Sequence, residues 1–320
     1  MAFISVNNLT AHYILERYGE RKTIHAVEDT TFSMNKRDFL AIVGESGCGK
    51  STLAKVLYGA VNSQLVVVNG TVTYQFEGSE YVVSPSKNTV REIWWKKLSY
   101  IPQSSLGVLN PLRKVRYIFL DLFRSHGGDY DQQRVVEHLN AVGLSPRVLD
   151  MYPFELSGGM RQRVVIALAT LMKPQVIIAD EPTSALDVVI QNEILQLLKR
   201  IQSETASTLV LITHDISLVP ALANKLMIMY GGSPVEFGEC RAVLSNPLHP
   251  YTKFLISSIP RIGDKTMKRS IPGYPPDLSN PPPGCRFHPR CSFSDRLCEE
   301  KRPTLTLVED DHYVACWKCR

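Results

Sequence analysis

The fold of this chain is decided by one short stretch, Gly44-Glu45-Ser46-Gly47-Cys48-Gly49-Lys50-Ser51-Thr52. It directly follows the apolar run Phe39–Val43, which has the length of a buried strand, and a helix is predicted to begin near Lys50. This strand–loop–helix setting is the one that the GxxxxGKS pattern requires in order to bind phosphate. A plain glycine-rich turn before a helix is the alternative, and the full pattern in this context disfavours it.

The residue types of this loop suit the phosphates of a nucleotide. Its three glycines let the backbone bend so that successive N–H groups point inward at phosphate oxygens, and the helix N-terminus adds its positive end. Lys50 is predicted to reach the β- and γ-phosphates, and the Ser51 hydroxyl is predicted to bind Mg²⁺. We expect contacts with ATP from the whole loop, namely Gly44, Glu45, Ser46, Gly47, Cys48, Gly49, Lys50, Ser51 and Thr52. At Cys48 we expect a tolerated small residue rather than an oxidation switch.

A second apolar run, Val176–Ala179, ends in the pair Asp180-Glu181. The carboxyl ends of parallel strands are where such sheets place their chemistry. Because adjacent strand residues point to opposite sides, Asp180 is predicted to face the metal beside Ser51. Glu181 then projects toward the γ-phosphate and its attacking water, where a carboxylate serves as general base or orients the water.

Further apolar runs extend this pattern along the chain. Short runs alternate with helical patterns up to about Thr213, which is typical of an α/β fold with a mostly parallel sheet covered by helices. The run Leu209–Thr213 ends at His214, whose imidazole is predicted to contact the γ-phosphate and hold Glu181 in place. The remaining expectations are a strand at Leu98–Ile101, a helical insertion over about 110–153, strand character from Lys225 to Phe237 and a short helix near Arg241.

Composition sets broad limits on the class of protein. The chain has 320 residues, 44% hydrophobic and 21% charged, which is ordinary for a globular protein with a full core. Its net charge of +5 suits a partner such as anionic lipid or nucleotide phosphate without requiring either. No stretch approaches the ~20 consecutive apolar residues that span a bilayer, and the start of the chain lacks the pattern of a secretory signal. We therefore expect a cytoplasmic protein that reaches a membrane only through its partners.

The segment Leu156-Ser157-Gly158-Gly159-Met160-Arg161-Gln162 distinguishes among phosphate-loop proteins. It resembles the LSGGQ signature of the ATP-binding cassette family, with Met160 in place of the usual glutamine. The resemblance covers about Ile4 to Ser258, because further motifs match in the family's order. These are Tyr13 as the aromatic residue that stacks on adenine, Gln103 in the Q-loop, Ser184-Ala185-Leu186-Asp187 as the D-loop, and His214 as the switch histidine.

This resemblance implies a fold and an activity. The implied fold is a RecA-like phosphate-loop NTPase core with a helical subdomain and a β-rich N-terminal part. The implied activity is ATP hydrolysis coupled to membrane transport. The resemblance implies that Lys50, Gln103, Glu181 and His214 are catalytic and that Ser51, Gln103 and Asp180 bind Mg²⁺. It also implies a head-to-tail dimer, in which Ser157, Gly158 and Gly159 of one chain cover the ATP of the other.

Within the family, two segments near the C-terminus resemble the dipeptide and oligopeptide importer ATPases. They are Asn246-Pro247-Leu248-His249-Pro250-Tyr251-Thr252 and Gly284-Cys285-Arg286-Phe287-His288-Pro289-Arg290-Cys291. The resemblance implies a second ATPase subunit, either a copy or a related chain, two membrane-spanning permeases and, indirectly, an extracytoplasmic solute-binding protein. It implies a place on the cytoplasmic face of the membrane. The solute stays open, because importers of this group carry peptides, nickel or oligosaccharides.

The C-terminal tail, residues 259–320, is predicted to be a separate extension of the ATPase domain at 1–258. It is rich in proline, which favours a tail that wraps or extends, and it holds five of the seven cysteines. Four thiolates around one centre hold either Zn²⁺ or a [4Fe–4S] cluster. The importer resemblance implies a cluster at Cys285, Cys291, Cys298 and Cys316, with zinc or free thiols as alternatives and Cys319 as a spare ligand.

Two other classes of function compete with the transport ATPase. A cassette ATPase that acts on nucleic acid or ribosomes usually carries two cassettes or a long coiled-coil insertion, and this chain has one cassette and no sustained heptads. We therefore expect no nucleic-acid partner. A metal-sensing or regulatory module would leave Asp180, Glu181 and the signature without a purpose.

Overall fold

The structure is a computed structural model that describes residues 2–17, 19–103, 107–258, 271–309 and 311–319. The strands are β1 (Ile4–Arg17), β2 (Glu20–Met34), β3 (Phe39–Val43), β4 (Leu65–Phe76), β5 (Ser79–Val83), β6 (Leu98–Ile101), β7 (Val176–Asp180), β8 (Thr208–Thr213), β9 (Lys225–Tyr230), β10 (Ser233–Glu239), β11 (Thr306–Glu309) and β12 (His312–Val314). The helices are α1 (Lys50–Leu57), α2 (Val115–Ser125), α3 (Gln132–Ala141), α4 (Gly158–Thr170), α5 (Val188–Thr205), α6 (Cys240–Ser245), α7 (Pro250–Ser257) and α8 (Arg296–Glu300).

The chain divides into two compact units, of which the first comprises residues 1–92 and 210–320. It contains an antiparallel sheet in the order β2-β1-β4-β5 and a second run of neighbouring strands, β11-β12-β10-β9-β3-β8. In the second sheet β3 pairs in parallel with β9, whereas β10 pairs antiparallel with both β9 and β12. The strand that precedes the phosphate loop is thus central, and its five residues are all buried.

A hydrophobic cluster joins the sheet of the first unit to the C-terminal tail. Val43 of β3 and Tyr230 of β9 belong to it, together with Tyr251 of α7 and Phe287 from the tail. The rings of Tyr230 and Phe287 meet edge to face with centroids 5.1 Å apart. Fully burying such rings stabilises a fold by about 1.5–3 kcal/mol each. The tail therefore shares its core with the strand and helix that follow β8.

The second unit, residues 93–209, is mostly helical. It contains the parallel pair β6 and β7, in which Leu98 lies opposite Val176. Helix α4 is polar at Arg161, Gln162 and Arg163, and its residues from Val164 to Thr170 are all buried. The helices α2 and α3 occupy the predicted insertion, together with short 3₁₀ turns at Pro146–Asp150 and Pro153–Glu155.

The predicted strands at 39–43, 98–101, 176–179 and 209–213 are confirmed, as are the strands from Lys225 onward and the short helix near Arg241. The proline-rich part of the tail has neither helix nor strand from 271 to 287, as expected. Sequence analysis did not anticipate β11 and β12, which extend the sheet beyond β10. The predicted domain boundary adjoins residues 259–270, which lie outside the described residues. No helix in the described part of the chain is both long enough and apolar enough to cross a membrane.

Candidate functional site

Lys50 opens helix α1 directly after the glycine-rich loop. Its side chain is buried, and its ammonium donates to two loop carbonyls, Gly44 O at 2.8 Å and Glu45 O at 3.0 Å. The loop therefore curls around the lysine, which places its charge at the concave side of the backbone. A helix N-terminus with a buried cation beside it is a ready site for an anion.

Glycine is required at two positions of the loop because the backbone there touches neighbouring strands. A Cβ at Gly49 would lie 2.0 Å from Ala26 O of β2, and a Cβ at Gly44 would lie 2.2 Å from Met229 O of β9. Gly49 is also left-handed, with φ 102°. A larger residue would push the loop off both strands, so the glycines fix where the cradle lies as well as how it bends.

The remaining loop residues differ in exposure. Ser46 and Gly47 are exposed, whereas Cys48 and Thr52 are buried and Ser51 is half-buried at the second position of α1. Burial raises the pKa of the Cys48 thiol, and Lys50 close by lowers it by less. The thiol therefore stays protonated at neutral pH, which agrees with the expectation of a small packed residue.

Tyr13 and His214 lie on other elements of the first unit. Tyr13 is a half-buried residue of β1, opposite Ile24 of β2 and Leu65 of β4. His214 follows β8 directly and is exposed. The next residue, Asp215, caps the following 3₁₀ turn through a 2.9 Å bond from Ser217 N, which fixes where the chain leaves the strand.

The second unit brings Gln103, Asp180 and Glu181 together at the ends of β6 and β7. Asp180 is the buried last residue of β7 and accepts a 2.8 Å hydrogen bond from the Tyr100 hydroxyl. Gln103 Nε2 donates to Glu181 Oε2 at 3.0 Å, and Ser184 Oγ donates to Gln103 O at 2.6 Å. A carboxylate, an amide and a hydroxyl at one strand edge form a set of oxygen ligands that Mg²⁺ prefers.

The backbone at Glu181 differs from the strand geometry assumed in the sequence analysis. Its φ is +43°, so the chain turns out of β7 immediately after Asp180. The two carboxylates have different partners, Tyr100 for Asp180 and Gln103 for Glu181. A left-handed non-glycine residue is a strained feature of the kind that concentrates at functional sites.

The signature segment opens helix α4. Ser157 is its N-cap, with a hydroxyl that accepts a 3.2 Å bond from Met160 N, and Gly158 and Gly159 are the first two helical residues. Ser157 and Gly158 are exposed. The first N–H groups of a helix have no partner within it. This terminus therefore presents N–H groups and a hydroxyl to an anion from solvent.

The cysteines of the tail were predicted to form one centre. Burial raises the pKa of Cys285 to about 11, and the other three thiols add to that rise; burial likewise raises the pKa of Cys291 and Cys298. Cys316 has its pKa lowered to about 6, chiefly by a hydrogen bond from Cys319. The five thiols thus occupy one neighbourhood, and Cys316 and Cys319 contact each other.

Their spacing bears on which metal would fit. Four thiolates at about 2.3 Å from a tetrahedral Zn²⁺ lie about 3.8 Å from one another. Among the described residues, no three cysteine thiols come within 4.8 Å of one another. In a four-iron cluster each thiolate binds a different iron, so the thiolates stand farther apart. The described thiols are therefore not arranged as a closed four-thiolate zinc site.

Three side chains outside the predicted site do meet the spacing of metal ligands. They are His12, His25 and Glu28, and both imidazoles lie 2.7 Å from Glu28 Oε1. Two arginines of the tail, Arg302 at 3.3 Å and Arg286 at 3.8 Å, also approach this carboxylate. Burial raises the pKa of Glu28, but the histidine hydrogen bonds and Arg286 lower it overall. The positive charge around Glu28 opposes a bound cation.

Sequence reasoning missed one further contact of the loop. Glu45 pairs with Arg290, which lies 245 positions away in the tail. In the sequence, this pair is suggested only by the two arginines, Arg286 and Arg290, that lie between Cys285 and Cys291. Nothing in their spacing indicates a carboxylate partner.

Comparison with known proteins adds two family assignments. Residues 27–184 match the family described as ABC transporter, and residues 235–298 match the family described as oligopeptide/dipeptide transporter, C-terminal region. The first match contains the phosphate loop and the signature. The second contains the two segments whose resemblance was noted from the sequence.

Similar proteins extend over the whole chain. The dipeptide transport ATP-binding protein DppD of Caldanaerobacter subterraneus subsp. tengcongensis is 40% identical, over 98% of this chain and 96% of that protein. The oligopeptide transport ATP-binding protein OppD of Haemophilus influenzae is 39% identical, over 92% of this chain and 91% of that protein. A dimeric structure of the ATP-binding cassette MJ0796 in a post-hydrolysis state, with ADP and Pi, is 26% identical with a TM-score of 0.62, covering 74% of this chain and 99% of that one. The predicted phosphate-loop NTPase fold is therefore confirmed.

Proposed function

This chain belongs to the ATP-binding cassette transporter family, in its dipeptide and oligopeptide group, and we propose that it is the ATPase subunit that energises a peptide importer. The observation that carries this proposal is similarity over 98% of the chain, phosphate loop and tail included, to a dipeptide transport ATPase. A nickel or oligosaccharide importer is the nearest variant of the same function.

The nucleotide contacts follow from the two helix N-termini and the chemistry around them. We assign the β- and γ-phosphates to Lys50 and the loop N–H groups, Mg²⁺ to Ser51, Asp180 and Gln103, and the adenine ring to Tyr13. Support comes from the buried lysine within its curled loop and from the oxygen ligands gathered at the end of β7. Bound Mg²⁺ would neutralise charge that develops on the transferred phosphoryl group.

Hydrolysis is assigned to Glu181, with His214 contacting the γ-phosphate. The glutamate carboxylate accepts a proton from, or orients, the attacking water. The amide of Gln103 donates to that carboxylate at 3.0 Å and orients it. The side-chain oxygen of Gln103 would help to hold Mg²⁺, and the ion would supply charge neutralisation beside the carboxylate of Glu181.

The complete site requires a second chain in this proposal. Ser157 and Gly158 are exposed, and their helix N-terminus can accept an anion that another chain brings. We assign these residues and Gly159 to the γ-phosphate of ATP bound by the partner cassette, which is a copy or a related chain. Two permeases and an extracytoplasmic binding protein complete the importer, and the chain sits at the cytoplasmic face of the membrane.

We assign a [4Fe–4S] cluster to Cys285, Cys291, Cys298 and Cys316, with Cys319 as the alternative ligand to its neighbour Cys316. Its chemistry there would be to cross-link a tail that has few apolar residues. An anaerobically purified sample should contain about four iron atoms per chain and absorb broadly in the visible. A sample with neither property contradicts the cluster.

Co-purification tests the transport function directly. The tagged chain, expressed in its own cell and extracted in mild detergent, should carry two multi-spanning membrane proteins with it. Ribosomal RNA in their place would show that the chain is the nucleic-acid or ribosome ATPase instead. Uptake of labelled dipeptides, compared with nickel and oligosaccharides, then identifies the solute.

A further inference from the structure

The cysteine-rich tail reaches the phosphate loop through one arginine. Arg290 donates to both carboxylate oxygens of Glu45, from Nη1 to Oε2 at 2.7 Å and from Nη2 to Oε1 at 3.0 Å. The Arg290 side chain is 5% exposed and that of Glu45 is 25% exposed. A paired, largely buried contact of this kind fixes position more strictly than a surface ion pair does.

Arg290 is itself held from several sides. Its Nε donates to Pro272 O at 2.7 Å, and its Nη1 also donates to the Tyr230 hydroxyl at 3.2 Å. The guanidinium carbon lies 5.6 Å from the centre of the Tyr230 ring. These contacts tie the arginine to the tail and to the end of β9, so its fork has one orientation toward the loop.

Glu45 passes this constraint to the lysine of the loop. Its backbone N–H donates to the buried Tyr251 hydroxyl at 3.0 Å, and its carbonyl accepts from Lys50 Nζ at 3.0 Å. The residue is therefore held at its side chain by Arg290 and at its N–H by α7. A shift of Glu45 would move the carbonyl that Lys50 contacts and the N–H groups that follow it.

A second arginine of the same tail segment supports the opposite wall of the loop. Arg286 Nη1 donates to Gly231 O and, at 3.3 Å, to His25 O. The next residue, Gly232, donates its N–H to Cys48 O of the loop at 2.9 Å. The stretch from Cys285 to Cys291 thus touches the loop directly through Arg290 and indirectly through Arg286.

We propose that this tail segment sets the geometry of the phosphate loop, with Arg290 as a positioning residue that acts through the Glu45 carboxylate. Affinity for nucleotide therefore depends on the tail, and the tail is part of the nucleotide site as well as a segment that holds cysteines. This inference rests on the proposed binding of ATP at the loop.

The test measures the Kd of a fluorescent ATP analogue with Mg²⁺ for the full chain and for Glu45→Gln, Arg290→Gln, Arg290→Lys and the double variant. Each neutral single variant should bind about tenfold more weakly, because charge-assisted bonds that orient the loop are lost. The double variant should bind no more weakly than the singles, since both remove the same contact. Arg290→Lys should fall between, because an ammonium cannot reproduce the fork.

Arg296→Gln is the matched control. Arg296 pairs with Glu300 in the same tail, but its side chain is 89% exposed, so nucleotide affinity should not change. Urea unfolding of each variant separates positioning from a merely structural role. If Arg290→Gln lowers stability while its folded fraction binds with wild-type affinity, the proposal is wrong. Additive losses of affinity in the double variant also contradict it.

The remaining outcomes are also decisive. If Arg290→Gln does not fold, Glu45→Gln and Arg290→Lys carry the test, because both keep hydrogen-bonding groups at the contact. Wild-type affinity in those two variants then overturns the inference. If the wild-type chain itself binds no analogue, the proposed ATP site fails, which differs from a failure of the tail to influence it.

Discussion

Two helix N-termini of this chain, both proposed to bind nucleotide phosphate, are built in different ways. Helix α1 begins at a left-handed glycine without a side-chain cap, and the buried Lys50 lies inside its loop. Helix α4 begins at Ser157, which caps its own helix through Met160 N and is exposed. The first terminus is held by contacts from β2, β9 and the tail, whereas the second packs at Gly159 against Ile190 of α5 and leaves Ser157 and Gly158 exposed. This difference fits the proposal that one chain forms the cradle for a nucleotide and offers its lid to a partner chain.

The largest loss of nucleotide affinity is expected from a substitution at Gly49. In Gly49→Ala the new Cβ would lie 2.0 Å from Ala26 O at a φ of +102°, so the loop must leave β2. Nucleotide binding, measured with a fluorescent ATP analogue, should fall by more than about a hundredfold as the cradle is lost. Gly47→Ala is the control: that residue has φ +77° but open space around its Cβ, so only the strain of about 1–2 kcal/mol remains. Equal effects of the two substitutions would contradict the packing argument.

The next effect is expected at Lys50. Lys50→Ala removes the charge that faces the phosphates, and a hydrogen bond to a charged group contributes about 1.5–3 kcal/mol, so Kd should rise roughly 10- to 100-fold. Lys55→Ala, on the exposed side of the same helix, should leave Kd unchanged. Undiminished affinity in Lys50→Ala would count against the proposed cradle.

Acid should destabilise helix α7, which His249 caps and whose Tyr251 hydroxyl accepts a hydrogen bond from Glu45 N of the phosphate loop. His249 accepts from Tyr251 N at 3.0 Å, and burial lowers its pKa to about 4. Below pH 6.5 the unfolded chain takes up the proton and the folded chain does not, so stability is lost as the pH falls toward 4. The loss at pH 4.5 should be about 2 kcal/mol.

Urea unfolding at pH 7 and pH 4.5 measures this loss. His249→Asn keeps a capping side chain but cannot titrate, so its stability should depend less on pH. His138, whose pKa burial lowers to about 4, supplies a similar loss in the other unit and is unchanged by that substitution. An unaltered pH dependence in His249→Asn would show that His249 does not stay neutral in the fold.

The smallest effect in this series is expected from the lid. Ser157→Ala should cost α4 about 1 kcal/mol through loss of its N-cap, and should slow ATP turnover about tenfold while the Kd of the single chain stays unchanged. Asp131→Ala is the control, since Asp131 caps α3 through Arg134 N at 3.0 Å and has no assigned role in catalysis. If Ser157→Ala weakens binding to the single chain, the lid belongs to the same chain's nucleotide.

The cradle could be predicted from the sequence because its determinants are local. The run Phe39–Val43, the glycine spacing and Lys50 all lie within a dozen residues, and a buried strand of five apolar residues is easily recognised. The hairpin of β1 and β2 was not located strand by strand. Its register shifts between Val6 and Leu9 and again before Tyr13, which disrupts the alternation of apolar and polar residues that marks a strand.

The support of the cradle could not be predicted, because it depends on contacts distant in sequence. Arg290 and Glu45 are far apart along the chain, and neither residue type specifies its partner. The pairing of β12 with β10 likewise depends on where the tail returns. The positive φ of Glu181 is also invisible in a pattern that continues as a strand up to Asp180. Local pattern predicts the candidate site, whereas tertiary contacts decide how its loop is held.

The most direct test of whether two chains complete one ATP site is the mass of the Glu181→Gln variant in solution with Mg-ATP. Loss of the carboxylate should reduce turnover by about 10²–10⁴-fold while binding remains. The variant should then accumulate as a dimer, either with itself or with its partner cassette, because in our proposal the exposed terminus at Ser157 covers the other chain's ATP. Adding Ser157→Ala to this variant should restore the single chain. A Glu181→Gln chain that binds Mg-ATP but stays single beside every candidate cassette would contradict the account.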